Sequence, residues 1–164
     1  MKRLLPLQLL SLAVLATGLV NAQADRFAYA ITDINKDGAN WSFLRRMDLN
    51  TGVFSDILLA GNDVSQLYFD AASKKQLSVG LKDERLGAWA NAAFATGVAA
   101  IAYDKKNNRL YYTPMFMDQL RYIDLKTMNA YFVTDGVLTG LNNKTSSDQS
   151  KIITRMAFAS DGNG

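Results

Sequence analysis

Arg45-Arg46-Met47-Asp48-Leu49-Asn50-Thr51-Gly52-Val53-Phe54-Ser55-Asp56 is echoed 76 residues later by Arg121-Tyr122-Ile123-Asp124-Leu125-Lys126-Thr127-Met128-Asn129-Ala130-Tyr131-Phe132. In both copies an aromatic- or Met-containing run ends on Asp-Leu-x-Thr, and a second run begins a few residues later. Asp, Asn, Thr and Gly favour turns because their side chains bond locally or tolerate unusual backbone angles. Each copy therefore reads as strand–turn–strand. Recurrence of one β-unit is the mark of a fold built by stacking copies.

The composition agrees. Glu84 is the only glutamate, so the acidic residues are almost all aspartates, which suit turns and caps rather than helix interiors. No window keeps an apolar spacing of three and four. The clearest unit spans 97–136. It reads as strands over 98–103, 109–113, 119–125 and 130–134, joined by the polar turn Asp104-Lys105-Lys106-Asn107-Asn108, a loop through Pro114, and the turn after Asp124. Four antiparallel strands in about 40 residues is the size of one propeller blade.

The unit at 26–60 follows the same grammar with strands over 27–32, 42–49 and 53–59, and lacks a first strand. Residues 152–159 with Ser160-Asp161-Gly162-Asn163 read as a first strand and its turn, the start of a further unit over 150–164. Between them, 64–96 is irregular: a hairpin over 67–79, then an alanine-rich stretch containing Trp89. The expected fold is all-β, a partial β-propeller of four-stranded antiparallel blades. A small β-sandwich uses alternating strands too, and the repeated turn favours the propeller. Two and a half units do not close a ring, so 23–164 is expected to be the N-terminal part of a longer protein.

Residues 1–22 carry the pattern of a signal peptide, a helix in its own right. Lys2 and Arg3 precede an apolar stretch over 7–20, and small residues place cleavage after Ala22, with Ala24 as the second option. The apolar stretch is short for a spanning helix. Without it, sixteen basic and fifteen acidic residues leave a net charge of +1. Such a chain has no electrostatic footprint for nucleic acid. The absence of cysteine excludes disulfides and an N-terminal lipid anchor. No membrane span is expected after cleavage, and a periplasmic, outer-surface or extracellular location follows.

The run Tyr103-Asp104-Lys105-Lys106-Asn107-Asn108-Arg109-Leu110-Tyr111-Tyr112, followed by Leu120-Arg121-Tyr122-Ile123-Asp124-Leu125, resembles the blade consensus of secreted bacterial propellers. Arg26-Phe27-Ala28-Tyr29-Ala30-Ile31-Thr32-Asp33 and Arg155-Met156-Ala157-Phe158 resemble envelope-exported propeller proteins of Bacteroidota. The resemblance covers most of 26–164 and implies a fold rather than an activity.

Candidate chemistry is sparse. Asp33-Ile34-Asn35-Lys36-Asp37-Gly38 matches the opening of a calcium loop, with Asp33, Asn35 and Asp37 as ligands. Leu44 stands where the closing Glu belongs, so a polar hairpin loop explains the same residues. Without histidine or cysteine, the usual zinc sites and nucleophile–histidine catalysis are excluded from this segment. Asp48, Asp70, Asp104, Asp124 and Asp161 read as turn residues rather than paired catalytic carboxylates, and no catalytic residue is assigned. The aromatics Tyr29, Trp41, Phe43, Tyr111, Tyr112, Phe116 and Tyr122 read as packing between sheets. Trp89 and the loop over 113–118 are the better candidates for a partner surface. The reading favours a non-enzymatic exported binding or scaffold protein with a protein or glycan partner in the envelope and no cofactor. The alternative is a calcium-dependent propeller enzyme of lactonase or lyase type with its site mostly downstream. A third possibility is a structural part of a larger surface protein.

Overall fold

A computed structural model describes residues 26–33, 41–61, 63, 67–77, 93–94, 97–115, 119–134 and 153–164. Within them the chain is all β, as its composition implies, with eight strands in two sheets and no helix. The signal segment and its cleavage site at Ala22 lie outside the described residues. Among these residues no helix is long and apolar enough to cross a membrane.

Sheet 1 contains β1 (Phe27–Thr32), β2 (Phe43–Asp48) and β3 (Leu59–Ala60), paired antiparallel in that order. Sheet 2 contains β4 (Tyr68–Asp70), β5 (Val98–Asp104), β6 (Arg109–Pro114), β7 (Leu120–Asp124) and β8 (Ala130–Thr134), in the order β4-β8-β7-β6-β5. From β5 to β8 the chain is an antiparallel meander, and β4 is added parallel to β8 at one edge.

One turn, used repeatedly, sets the registers. After Asp48, Asp70 and Asp124 the chain makes a four-residue loop whose last residue is left-handed: Gly52 at φ 70°, Lys74 at 59° and Met128 at 60°. Its amide bonds back to the aspartate carbonyl at 2.7–2.9 Å in all three copies. The aspartate carboxylate accepts turn amides, from Asn50 and Thr51, from Ser73, and from Lys126 and Thr127. The hydroxyl of Thr51, Ser73 or Thr127 then accepts the amide two residues on, each at 3.3 Å. Asp104 makes a related turn, with Asn107 held by its carboxylate and Asn108 left-handed at φ 53°. Asp-x-x-Thr/Ser is thus a turn with its hydrogen bonds written into the sequence.

Sheet 1 packs on one face of sheet 2. Leu44 and Leu59 meet Leu110, Tyr112, Ile123, Ala130 and Phe132 in one core, with Tyr29 against Tyr103 at 5.2 Å between ring centres. Ala93–Phe94 staples the two layers. The Phe94 amide bonds Gly61 at 2.6 Å, and its ring makes an edge-to-face contact with Tyr112 at 5.0 Å. A Cβ at Gly61 would fall 1.9 Å from the Phe94 ring, so glycine is required there.

The observed strands depart from the expected ones in several places, and the first strand expected over 152–159 does not form across the described residues 153–159. The run over 53–59 was expected as one strand, but only β3 and a single bridge between Phe54 and Met47 form. The Ser55 amide bonds the Arg46 carbonyl at 2.8 Å, but the Arg46 amide goes to the Ser55 hydroxyl, which donates to the Asp56 carbonyl, so one ladder bond is replaced by a side chain. The hairpin over 67–77 retains its turn and the Phe69–Gln76 bridge. Its first strand, β4, docks on β8 and widens sheet 2. Most of 64–96 and residues 150–152 lie outside the described residues.

Candidate functional site

The two faces of sheet 2 differ. Side chains alternate across a strand, and the Asp124 turn pairs Tyr122 with Tyr131 while β6 pairs Tyr111 with Tyr122. The face away from sheet 1 therefore carries an aromatic row. Phe69 lies 5.3 Å from Tyr131, Tyr131 4.7 Å from Tyr122, Tyr122 5.2 Å from Tyr111, and Tyr111 4.9 Å from Phe158. Each such pair contributes about 0.5–1.5 kcal/mol beyond its burial. Tyr122 and Tyr131 are stacked nearly parallel, at 10°, so their flat faces are turned to each other rather than to a ligand.

Cations flank the row. Lys74 Nζ donates to the Tyr122 hydroxyl at 3.1 Å and sits 5.1 Å from the Tyr131 ring. The Arg109 guanidinium lies 4.7 Å over Tyr122, and its hydrogen bond to Tyr111 raises its pKa further.

Residues 153–159 lie against this face without forming a strand. The Thr113 hydroxyl donates to the Ile153 carbonyl at 3.0 Å, Phe158 rests on Tyr111, and Lys106 Nζ donates to the Asp161 carbonyl at 2.7 Å. Those contacts move from Thr113 through Tyr111 on β6 to Lys106 in the β5–β6 turn as the segment advances. The segment therefore runs antiparallel to β6 and parallel to β5, as a third layer. It ends in a tight turn: the Ala159 amide bonds the Asn163 carbonyl at 2.8 Å, and Gly162 is left-handed at φ 87°. Beside it opens a groove of about 590 Å³, floored by Tyr111, Leu120 and Val133 and walled by Met156, Phe158 and Gly164.

The other face hides a polar knot. Arg121 is fully buried; its guanidinium donates to the Gln119 side-chain oxygen and to the Ala93 carbonyl at 3.0 Å, and stacks 4.0 Å over Phe132. The Tyr112 hydroxyl donates to the same Ala93 carbonyl at 2.6 Å, and the Ala93 amide donates to the Tyr68 hydroxyl at 2.9 Å. Burial pushes the Tyr68 hydroxyl up to about 12 and raises Tyr112 as well. Three side chains thus hold one backbone unit, a positioning role for the layer staple.

Asp48, Asp70, Asp104, Asp124 and Asp161 cap their own turns, Asp161 by accepting the Asn163 amide at 2.9 Å. Hydrogen bonds from the Asn50 amide and from the Ser73 hydroxyl lead in holding the Asp48 and Asp70 carboxyls below their usual range. Asp33 lies just past β1, whereas Asn35 and Asp37 lie outside the described residues. No cluster of metal-ligating side chains occurs among the described residues. Tyr111 and Tyr122 join the aromatic row, Tyr112 faces sheet 1, Tyr29 of sheet 1 packs against Tyr103 of sheet 2, Phe43 is half-buried on β2, and Trp41 is exposed. Thr113 and Pro114 are the buried end of β6, which runs one residue further than expected, into the loop over 113–118. Trp89 and Phe116 to Asp118 lie outside the described residues. Phe69, Tyr131, Phe158 and Arg121 were not singled out from sequence. Counting outward from the Asp124 turn pairs Tyr122 with Tyr131, so the row was within reach of register arithmetic.

No protein-family model matches the chain, and no curated protein matches it.

Proposed function

We propose that this chain belongs to an exported, non-enzymatic β-propeller that binds or scaffolds a partner in the bacterial cell envelope. One observation carries the reading. Sheet 1, sheet 2 and the 153–159 segment stack face to face, with the third layer entering parallel to the first strand of the meander below it. Radial repetition of four-stranded sheets produces this relation between neighbours. The role of binder or scaffold is supported by how the reactive side chains are engaged. Asp48, Asp70, Asp104, Asp124 and Asp161 hold turns, and the aromatics of sheet 2 pack against one another.

Export rests on the segment over 1–22, and envelope placement on the sequence resemblance. The test is fractionation of the native host with intact-mass measurement of the recovered protein. Recovery outside the cytoplasm with Gln23 at the N-terminus is the expected result; a cytoplasmic protein retaining Met1 overturns export. Calorimetric titration of the same protein with calcium separates the scaffold from a calcium-dependent propeller enzyme. The scaffold reading predicts no tight site. Saturable binding abolished by substituting carboxylates would replace it with the enzyme reading.

A further inference from the structure

The β8 side of sheet 2 is covered from within the chain. β4 lies parallel to β8 over three pairs, Tyr68 with Ala130, Phe69 with Tyr131 and Asp70 with Phe132. The Ala71 amide bonds the Phe132 carbonyl at 2.9 Å, and the Ala130 amide reaches the Leu67 carbonyl at 3.4 Å. On this side of β8 the main-chain groups of Ala130 and Phe132 are therefore directed at the hairpin. Of the described strands of sheet 2, β8 (Ala-Tyr-Phe-Val-Thr) is the one with neither a charged residue nor a proline. An uncharged apolar edge of that kind, left bare, is a template for a further strand.

The covering hairpin, 67–77, is fastened on both faces of the sheet. Toward the core, Tyr68 is fully buried, and its hydroxyl accepts the Ala93 amide and donates to the Asp63 carbonyl at 2.8 Å. On the opposite face Phe69 stacks on Tyr131, and Lys74 reaches past the Tyr131 ring to the Tyr122 hydroxyl. Lys74 fills the left-handed position that Gly52 and Met128 fill in the sister turns, so the turn itself does not call for a lysine. The return limb is a poor edge for further growth. It pairs with β4 through the Phe69–Gln76 bridge and the Leu77 amide, and it presents exposed Lys75 and Gln76. Short limbs and lysines are how natural sheets blunt their edges.

We propose that the 67–77 hairpin is an edge guard. It occupies the β8 edge and replaces it with a short, lysine-bearing limb, and its displacement lets two copies of this chain join edge to edge through β8. Two identical strands meeting at a two-fold axis pair antiparallel, and β8 carries no charge that would repel its own copy, so β8 is its own complement. The inference stands on the pairing of β4 with β8 and on the two clamps, independently of the propeller reading.

The test removes the outer clamp and leaves Tyr68 in the core. The double variant Phe69→Ala/Lys74→Ala of the whole protein is followed by residue-resolved amide exchange and by sedimentation velocity. Exchange of the Ala130 amide should quicken at least about tenfold, and a concentration-dependent dimer should be gained over the unsubstituted protein. Adding Val133→Lys, a charge at an exposed position of the same strand, should abolish that dimer and leave the fast exchange. Phe158→Ala, which loosens the aromatic row at Tyr111 instead, should do neither. Unchanged exchange overturns the proposal, as does fast exchange with no gain in dimer or a dimer that Val133→Lys leaves intact. Equal association of Phe158→Ala overturns it too, because general loosening would then be the cause. Circular dichroism checks folding, and where the double variant fails to fold, Lys74→Ala alone is put through the same measurements with the same outcomes.

Discussion

β5 and the 153–159 segment have the same local grammar and different pairing. Met156-Ala157-Phe158 sets a small residue between two large apolar ones as Ile101-Ala102-Tyr103 does, and each stretch leads into a polar turn with a left-handed residue, at Gly162 or Asn108. β5 has β6 beside it and buries alternate residues along its length. Among the described residues the 153–159 segment is anchored by the Thr113 hydroxyl, the Phe158 ring and the turn after Ala159, and Thr154, Arg155 and Ala157 are exposed. Local sequence is therefore sufficient to extend the chain and turn it, whereas a ladder needs a second strand in register. The layers on either side of sheet 2 repeat the contrast. One is a closed core stapled by Phe94, and the other is an aromatic row partly covered by Phe158.

The largest predicted effect compares the two layers. Phe94→Ala opens a cavity in the closed one and should cost about 3–5 kcal/mol in urea unfolding. Phe158→Ala, half-buried on the open side, should cost roughly 1 kcal/mol, the scale of one aromatic pair. Equal losses would mean that the third layer is as well packed as the first. Prolines sharpen the contrast at the level of single strands. Ala102→Pro places a ring in a buried β5 position opposite Tyr111 and should cost about 3 kcal/mol through overpacking and ladder disruption. Ala157→Pro should cost less than about 0.5 kcal/mol, the range of an exposed substitution.

Alkaline pH reaches the closed layer through Tyr68. Folded Tyr68 keeps its proton up to about 12, whereas the unfolded chain loses it near its ordinary value of 10. Stability is therefore complete below pH 10 and falls as pH rises toward 12. Tyr68→Phe should flatten that limb of a stability-versus-pH curve, at the cost of the partner of the Ala93 amide at neutral pH. The smallest effect tests the shared turn. Gly52→Ala meets nothing within 4 Å but must hold φ at 70°, so about 1 kcal/mol of strain should appear with no packing change.

The sequence made the local elements legible: β1, β2, β5 to β8 and the Asp turns, because strands alternate and aspartate bonds its own turn. It concealed whatever depends on distant partners. The parallel docking of β4 on β8 has no local signal. The shortening of β3 depends on the Ser55 hydroxyl finding the Arg46 amide. The burial of Arg121 depends on Gln119 and on Ala93, distant in sequence, which enclose its guanidinium. The aromatic row was half legible, with Tyr111 and Tyr122 named from sequence and Phe69, Tyr131 and Phe158 added by register and layering.

The most direct test of the central contrast is residue-resolved amide hydrogen exchange of the whole protein at neutral pH. The account predicts strong protection for the β5 amides that face β6. It predicts exchange near the unprotected rate for Thr154 to Phe158, despite the contact of the Phe158 ring with Tyr111. Protection of 154–158 comparable to that of β5 would contradict it, because the segment would then already have a strand beside it.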